Sequence, residues 1–261
     1  MTSETLENLL LQDVAALGLN LPSSASPALI RYLDMVLEAN QTMNLTAITD
    51  PQEAVHKHLV DSLSVLLLKD LATQSKGPVI WADIGSGAGF PGLVLAMAVP
   101  NSLLHLVEST GKKAHFLNTT AASLGLLKRV QVHNARAEVL AQGADHTVSA
   151  KIDVPRGTSL RGQCDAVFFR GVSRLNALIE LGSPLLKVGG LLVAYKGPKA
   201  DEELTEATKA LKELKMEVAE RKAFQLPGVN EARILICLRK IGETPKRFPR
   251  PVGLAQKEPL L

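Results

Sequence analysis

The chain has 261 residues, 46% of them hydrophobic, which is enough to bury one substantial core and slightly more than a single α/β domain usually needs. A formal charge of +3 permits an anionic partner without requiring one, and 3% aromatic content excludes a broad stacking platform for single-stranded nucleic acid. Only Cys164 and Cys237 occur, each in or beside an apolar run, which argues for buried reduced thiols and against a disulfide framework or a thiolate zinc site.

The first residues carry Glu4, Glu7 and Asp13 among leucines, with neither a basic leader nor a long apolar run; a cytoplasmic protein without a membrane anchor is expected. From Thr5 to about Leu68 apolar residues recur at helical spacing, as in Ile30, Leu33, Val36 and Leu37, so residues 1–75 read as a helical N-terminal extension. Lys76-Gly77-Pro78 breaks that pattern, and Val79-Ile80-Trp81-Ala82 is a short apolar run leading into a glycine cluster. Strand candidates follow at Leu103–Glu108, Val130–Asn134, Ala166–Arg170 and Leu191–Lys196, with helical segments at Gly111–Leu124 and Arg174–Leu186 between them. Such alternation implies a mostly parallel sheet covered by helices on both faces, over residues 76–241. Residues 142–163 lack an apolar period and contain Pro155 and Gly157, as a long inserted loop would. Lys215–Phe224 and Ala232–Lys240 read as two late strands forming an antiparallel edge. Residues 242–261 hold four prolines with scattered Arg and Lys and read as a basic tail with little core of its own.

The strongest chemical signal is Asp83-Ile84-Gly85-Ser86-Gly87-Ala88-Gly89-Phe90-Pro91-Gly92, between the first strand and a helix. Alternate glycines let the backbone turn sharply and leave bare peptide against which a nucleotide-like cofactor can lie. A dinucleotide fingerprint would place glycine where Phe90 stands, and no P-loop lysine follows, so the spacing favours S-adenosylmethionine (SAM), a cofactor without phosphates. Asp83 is placed to orient the loop amides or to receive the cofactor's positive end. Glu108, closing the second strand, can accept hydrogen bonds from both ribose hydroxyls.

Together with His58-Leu59-Val60-Asp61-Ser62, Val107-Glu108-Ser109-Thr110-Gly111-Lys112-Lys113, Phe169-Arg170, Tyr195-Lys196-Gly197 and Arg247-Phe248-Pro249-Arg250, that loop resembles the RsmG (GidB) family of bacterial 16S ribosomal RNA guanine-N7 methyltransferases over nearly the whole chain. The resemblance implies a Rossmann-like SAM-dependent methyltransferase fold, a mostly parallel seven-stranded α/β sheet. It implies methylation of a guanine N7 in the 530 loop, with 16S ribosomal RNA or the small ribosomal subunit as partner. Cofactor contacts are then expected at Gly85, Gly87, Gly89, Phe90, Ala137, Glu138 and Arg170, besides Asp83 and Glu108. Glu108 stands where the family often has Asp.

N7 of guanine has an exposed lone pair, so its methylation needs no obligatory general base. Arg170 and Lys196, at the ends of strands where ligands gather, could position the substrate through guanine O6 or a phosphate, or could simply pair with neighbouring carboxylates. RNA contact is expected at His58, Asp61, Arg174 and Arg233 and at Lys246, Arg247 and Arg250 of the tail, against structural hydrogen bonding or a solvated end as the alternative. His56, His58 and Asp61 invite a metal reading, but residues two apart on a helix point in different directions, and no metal is expected. Two rival readings stay open: a methyltransferase for a small molecule or a protein, and a SAM-binding ribosome assembly factor that transfers nothing.

Overall fold

A computed structural model describes residues 2–74, 77–142, 159–171, 173–229 and 231–261. Most of the expected inserted loop, residues 143–158, therefore lies outside the described residues. Seven strands form one sheet in the order β3-β2-β1-β4-β5-β7-β6. They are β1 Val79–Ile84, β2 Ser102–Val107, β3 Val130–His133, β4 Cys164–Phe169, β5 Leu186–Lys196, β6 Met216–Leu226 and β7 Glu231–Lys240. The first five run parallel, and β7 lies antiparallel between β5 and β6. The sequence pattern locates every strand. β5, however, begins at Leu186 rather than Leu191, because its start pairs with Cys164 before an irregularity that puts extra residues on β5.

Side chains alternate across the sheet and build two cores. Trp81, Leu104, Leu106, Phe168, Val193 and Cys237 face the N-terminal helices, while Ala82, Ile84, Val107, Val167, Phe169, Leu192 and Ile236 face the opposite layer. The first layer contains α1 (Ser3–Ala16), α2 (Ala25–Met43), α3 (Pro51–Ala54), α4 (Asp61–Leu63), α5 (Lys69–Gln74), α6 (Gly92–Ala98) and α7 (Gly111–Ser123). The second contains α8 (Ala137–Gln142), α9 (Leu175–Gly182), α10 (Ala200–Glu206), α11 (Thr208–Glu213) and α12 (Leu254–Lys257). Cys164 and Cys237 are buried free thiols in β4 and β7, and burial pushes both up to about 12. Among the described residues, no helix is long and apolar enough to cross a membrane.

The N-terminal helices end and start where short polar side chains can take orphan backbone groups. Asn44 closes α2 in the left-handed conformation, and Asn40 Oδ1 accepts from the amides of Leu45 (2.7 Å) and Thr46 (2.9 Å). Asp50 caps α3 by accepting from Glu53 N (2.8 Å), with Pro51 in the first helical position. The helix after that cap is not uniform: Val55–Val60 winds as a π-helix, α4 follows, and Ser64–Leu67 tightens to a 3₁₀ turn. π-turns are rare and concentrate at functional sites.

The tail differs from its expected form. Phe248 and Ala255 are buried in the second core, 2% exposed each, and Thr244 Oγ1 donates to Ser183 O (3.1 Å). Arg161 binds the tail from outside it, donating to the carbonyls of Phe248 (2.8 Å) and Thr244 (3.2 Å). A segment poor in apolar residues is thus held by one aromatic anchor and by hydrogen bonds from partners far away in sequence.

Candidate functional site

Two clefts open at the carboxyl ends of β1 to β5, where the order reverses between β1 and β4 and ligands of open α/β sheets bind. At the end of β1 the chain turns through Gly85, Gly87 and Gly89, with φ of 74°, 56° and 106°. The amides of Gly85 (2.8 Å) and Ser86 (3.2 Å) donate to Val107 O and tie the turn to β2. A Cβ on Gly89 would stand 2.8 Å from both Leu93 Cδ1 and Tyr32 Oη, whereas one on Gly87 would meet nothing nearer than Gly85 O at 3.9 Å. Gly89 therefore serves close packing, whereas Gly87 leaves open space beside its backbone. Tyr32 of α2 pins the loop from outside by donating to Ala88 O (2.7 Å).

Asp83 points away from water and into the first core, 1% exposed. Its Oδ2 accepts from Gly92 N (3.0 Å) at the loop-to-helix junction, while Oδ1 is buried without a hydrogen-bond partner among the described residues. Burial pushes its carboxyl up to about 7, against the opposing effect of the Gly92 amide. Glu108 instead faces the loop. Its Oε2 accepts from Gly87 N (3.0 Å) and its Oε1 from Thr110 N (2.7 Å), so each oxygen keeps a lone pair for another donor.

The first cleft is walled by Ile84, Gly85, Val107, Ser109, Ala135, Arg136, Ala137, Glu138, Phe169, Leu181 and Gln256. It brings together Gly85, Ala137 and Glu138 of the expected cofactor set, beside Glu108 and Gly87. Glu138 Oε1 also accepts from Gly253 N of the tail (2.9 Å), an attachment that no local pattern foretells.

The second cleft is lined by Asp61, Arg170, Gly171, Tyr195, Lys196, Gly197 and Arg233. Arg170 leaves the end of β4 and donates from Nε to Asp61 Oδ2 (2.8 Å) and from Nη2 to the Lys57 carbonyl in the π-helical turn. Its guanidinium carbon lies 5.9 Å from the centroid of the Phe90 ring, which also meets the rings of Tyr32 and His58, the latter stacked at 4.5 Å and 15°. Phe90 thus joins the glycine loop to the second cleft. Arg233 Nε approaches Asp61 Oδ1 at 3.4 Å, an ion-pair distance without hydrogen-bond geometry, so that oxygen has no hydrogen-bond partner among the described residues. Lys196 Nζ donates to Glu203 Oε2 (2.7 Å) and Ser173 O (2.9 Å), and Tyr195 Oη donates to Ser62 O (2.7 Å).

His58 Nε2 shares a hydrogen bond with Thr46 Oγ1 (2.7 Å), and its Nδ1 is buried without a hydrogen-bond partner among the described residues. Burial, reinforced by the Arg170 charge, holds the ring down at about 4, so it is a neutral imidazole at pH 7. His56 points elsewhere, to Asp13 Oδ2 of α1 at 2.5 Å. Among the described residues, no three His, Cys, Asp or Glu side chains group as metal ligands.

The other basic residues expected to contact RNA are not among those lining either cleft. Arg174 precedes α9 with its side chain 66% exposed, 3.6 Å from Glu206. Lys246 is exposed, and Arg247 lies over the Phe248 ring and donates to Glu213 (3.0 Å). Arg250 turns inward: Glu180, fully buried on α9, accepts from its backbone N (3.0 Å), Nε (2.9 Å) and Nη2 (2.7 Å). Sequence reasoning did not reach Tyr32, the Lys57 carbonyl or Gln256. The first sits on an ordinary amphipathic helix, the second is exposed by a winding defect, and the third lies in a stretch without periodicity.

A family model described as rRNA small subunit methyltransferase G matches residues 25–232. The chain is 39% identical over 249 residues to a ribosomal RNA small subunit methyltransferase G of Lactobacillus johnsonii, covering 95% of this chain and 97% of that one. It is 36% identical over 255 residues to the protein of that name from Alkaliphilus oremlandii, covering 98% and 99%. Among solved structures, the [4+2]-cyclase SpnF superposes with a TM-score of 0.50 at 16% identity, covering 85% of this chain and 98% of that one, a likeness of fold alone.

Proposed function

Because the chain belongs to the ribosomal RNA small subunit methyltransferase G family, we propose that it methylates N7 of a guanine in the 530 loop of 16S ribosomal RNA, acting on the small ribosomal subunit or its RNA. The observation that carries this reading is the second cleft, where Arg170, Lys196 and Arg233 meet around Asp61, Lys196 and Arg233 being paired also with Glu203 and Glu231, and Phe90 connects them to the glycine loop. The N–H donors that these paired side chains keep suit guanine's O6 and N7 edge and the phosphates beside it.

The methyl donor is SAM, and the residues present fit it. Glu108 retains lone pairs for two ribose hydroxyls, Gly87 offers open backbone, and Ala137 and Glu138 wall the cleft beyond. When bound, SAM supplies a methyl group activated by a sulfonium. Methylation at N7 would use that atom's lone pair, so no residue would have to take a proton. The chain's task is therefore position. Two of Arg170's five N–H donors are used on Asp61 and the Lys57 carbonyl, which fixes the guanidinium in place and leaves further donors for a base. Lys196 is held by Glu203 in the same way. Neutral His58 props the Phe90 ring and needs no part in proton transfer.

The test is tritium transfer from labelled SAM to small subunits and to deproteinised RNA, followed by borohydride and aniline cleavage at 7-methylguanosine. One cut in the 530 loop, lost in a folded Arg170→Ala variant, is the expected result. SAM binding without transfer to either substrate would instead favour an assembly factor or a different acceptor.

A further inference from the structure

The tail carries Gln256 to the rim of the first cleft, where it shares a wall with Arg136, Ala137 and Glu138. This placement is built rather than incidental. Three residues earlier Gly253 N is bound by Glu138, the preceding Ala255 is buried in the second core, and upstream Arg250 is clamped on Glu180. Downstream, Asn176 Nδ2 donates to Leu260 O (3.4 Å), so the segment is tied on both sides of Gln256. The tie to Gly253 also occupies one oxygen of Glu138, a side chain otherwise free to accept from a nucleobase amino group. A carboxamide presents an acceptor beside two donors, the pattern that complements the amino group and neighbouring ring nitrogen of adenine.

We propose that Gln256 reads the adenine edge of the cofactor, which makes the C-terminal tail part of the cofactor site and a determinant of nucleobase specificity. The inference rests on the SAM reading above. Its test is calorimetric binding of S-adenosylhomocysteine, the unreactive product, and of its analogue lacking the 6-amino group, to the full-length chain and to Gln256→Ala. Wild type should bind the adenine compound and discriminate against the analogue. Gln256→Ala should bind the adenine compound about five- to tenfold more weakly, the scale of one lost hydrogen bond, and its discrimination should shrink by a similar factor. Lys257→Ala, one residue on and also exposed, should match wild type. Thermal midpoints of the free proteins should coincide, because the Gln256 side chain takes no part in the ties just described.

Equal affinity of wild type and Gln256→Ala, or an undiminished preference for the 6-amino group in the variant, overturns the proposal and leaves the SAM reading intact. Absence of binding to wild type overturns both.

Discussion

Replacing Arg250 by alanine separates two roles that the same residue could play. In the folded chain its side chain is 22% exposed and lies against Glu180, whose side chain is 0% exposed and accepts from Nε, Nη2 and the Arg250 amide. Truncation leaves a buried carboxylate without its counter-charge, a loss of about 3–5 kcal/mol. At about 2–4 °C per kcal/mol for a chain of this size, the thermal midpoint should fall by roughly 6–20 °C. The measurement is urea unfolding at pH 7.5 with parallel thermal melts. A Glu180→Gln, Arg250→Met double variant removes both charges yet keeps an acceptor for the Arg250 amide, and should recover at least half of the lost stability. If Arg250→Ala stays within about 1 kcal/mol of wild type while its affinity for ribosomal RNA drops, the ion pair contributes little and Arg250 is an RNA contact, as the sequence alone suggests.

Three further outcomes follow from the geometry. Asp83 titrates near 7 in the folded chain against an ordinary value of 3.8, so the folded state binds the proton more tightly and stability is lost as pH rises from about 4 to 7. Asp83→Asn, which keeps an acceptor for Gly92, should therefore gain stability relative to wild type in urea unfolding at pH 8 compared with pH 5, and an equal difference at both pH values would contradict this. Gly89→Ala places a methyl group 2.8 Å from Tyr32 Oη and Leu93 Cδ1 at a φ of 106°, and should destabilise the chain by about 2–4 kcal/mol in the same assay while weakening SAM binding. Arg174→Ala, exposed and 3.6 Å from Glu206, should leave the melting temperature unchanged but lower the salt slope of RNA binding by about 1, read from filter binding at several salt concentrations.

The parallel strands were legible because each is a short apolar run bounded by turn residues, and buried strands of this kind need little context. The glycine loop was legible for a different reason: its spacing encodes a backbone path, and Gly85, Gly87 and Gly89 all take the positive φ that such a path requires. Glu108 could be placed at the loop, yet its grip on the Gly87 amide could not be foreseen, since a carboxylate's second lone pair leaves no trace in a sequence. The tail's docking on the second core was not legible because composition averages over it. One Phe248 in a pocket and one Arg250 on a carboxylate seventy positions away outweigh four prolines. Local propensity carries no information about partners at that separation. His58 and Asp61 stood out through the resemblance and through a metal reading, whereas a helix pattern records which face is apolar and says nothing of a change in winding.

That change in winding sets a limit on how the N-terminal section can vary. Each α-helical residue advances the chain by about 100° around the axis. The π-turn at Val55–Val60 accommodates an extra residue in place, so that His58 lies on Phe90 while Asp61 and the Lys57 carbonyl both meet Arg170. Deleting one residue from this turn would restore ordinary α-helical winding, but the groups within the turn would then take other positions, with the Lys57 carbonyl claimed by the amide four residues on. The stack on Phe90 and the grip on Arg170 could then no longer coexist. Length, as much as residue identity, is therefore constrained here, and a shortened helix would be expected to keep its fold while uncoupling the glycine loop from the second cleft.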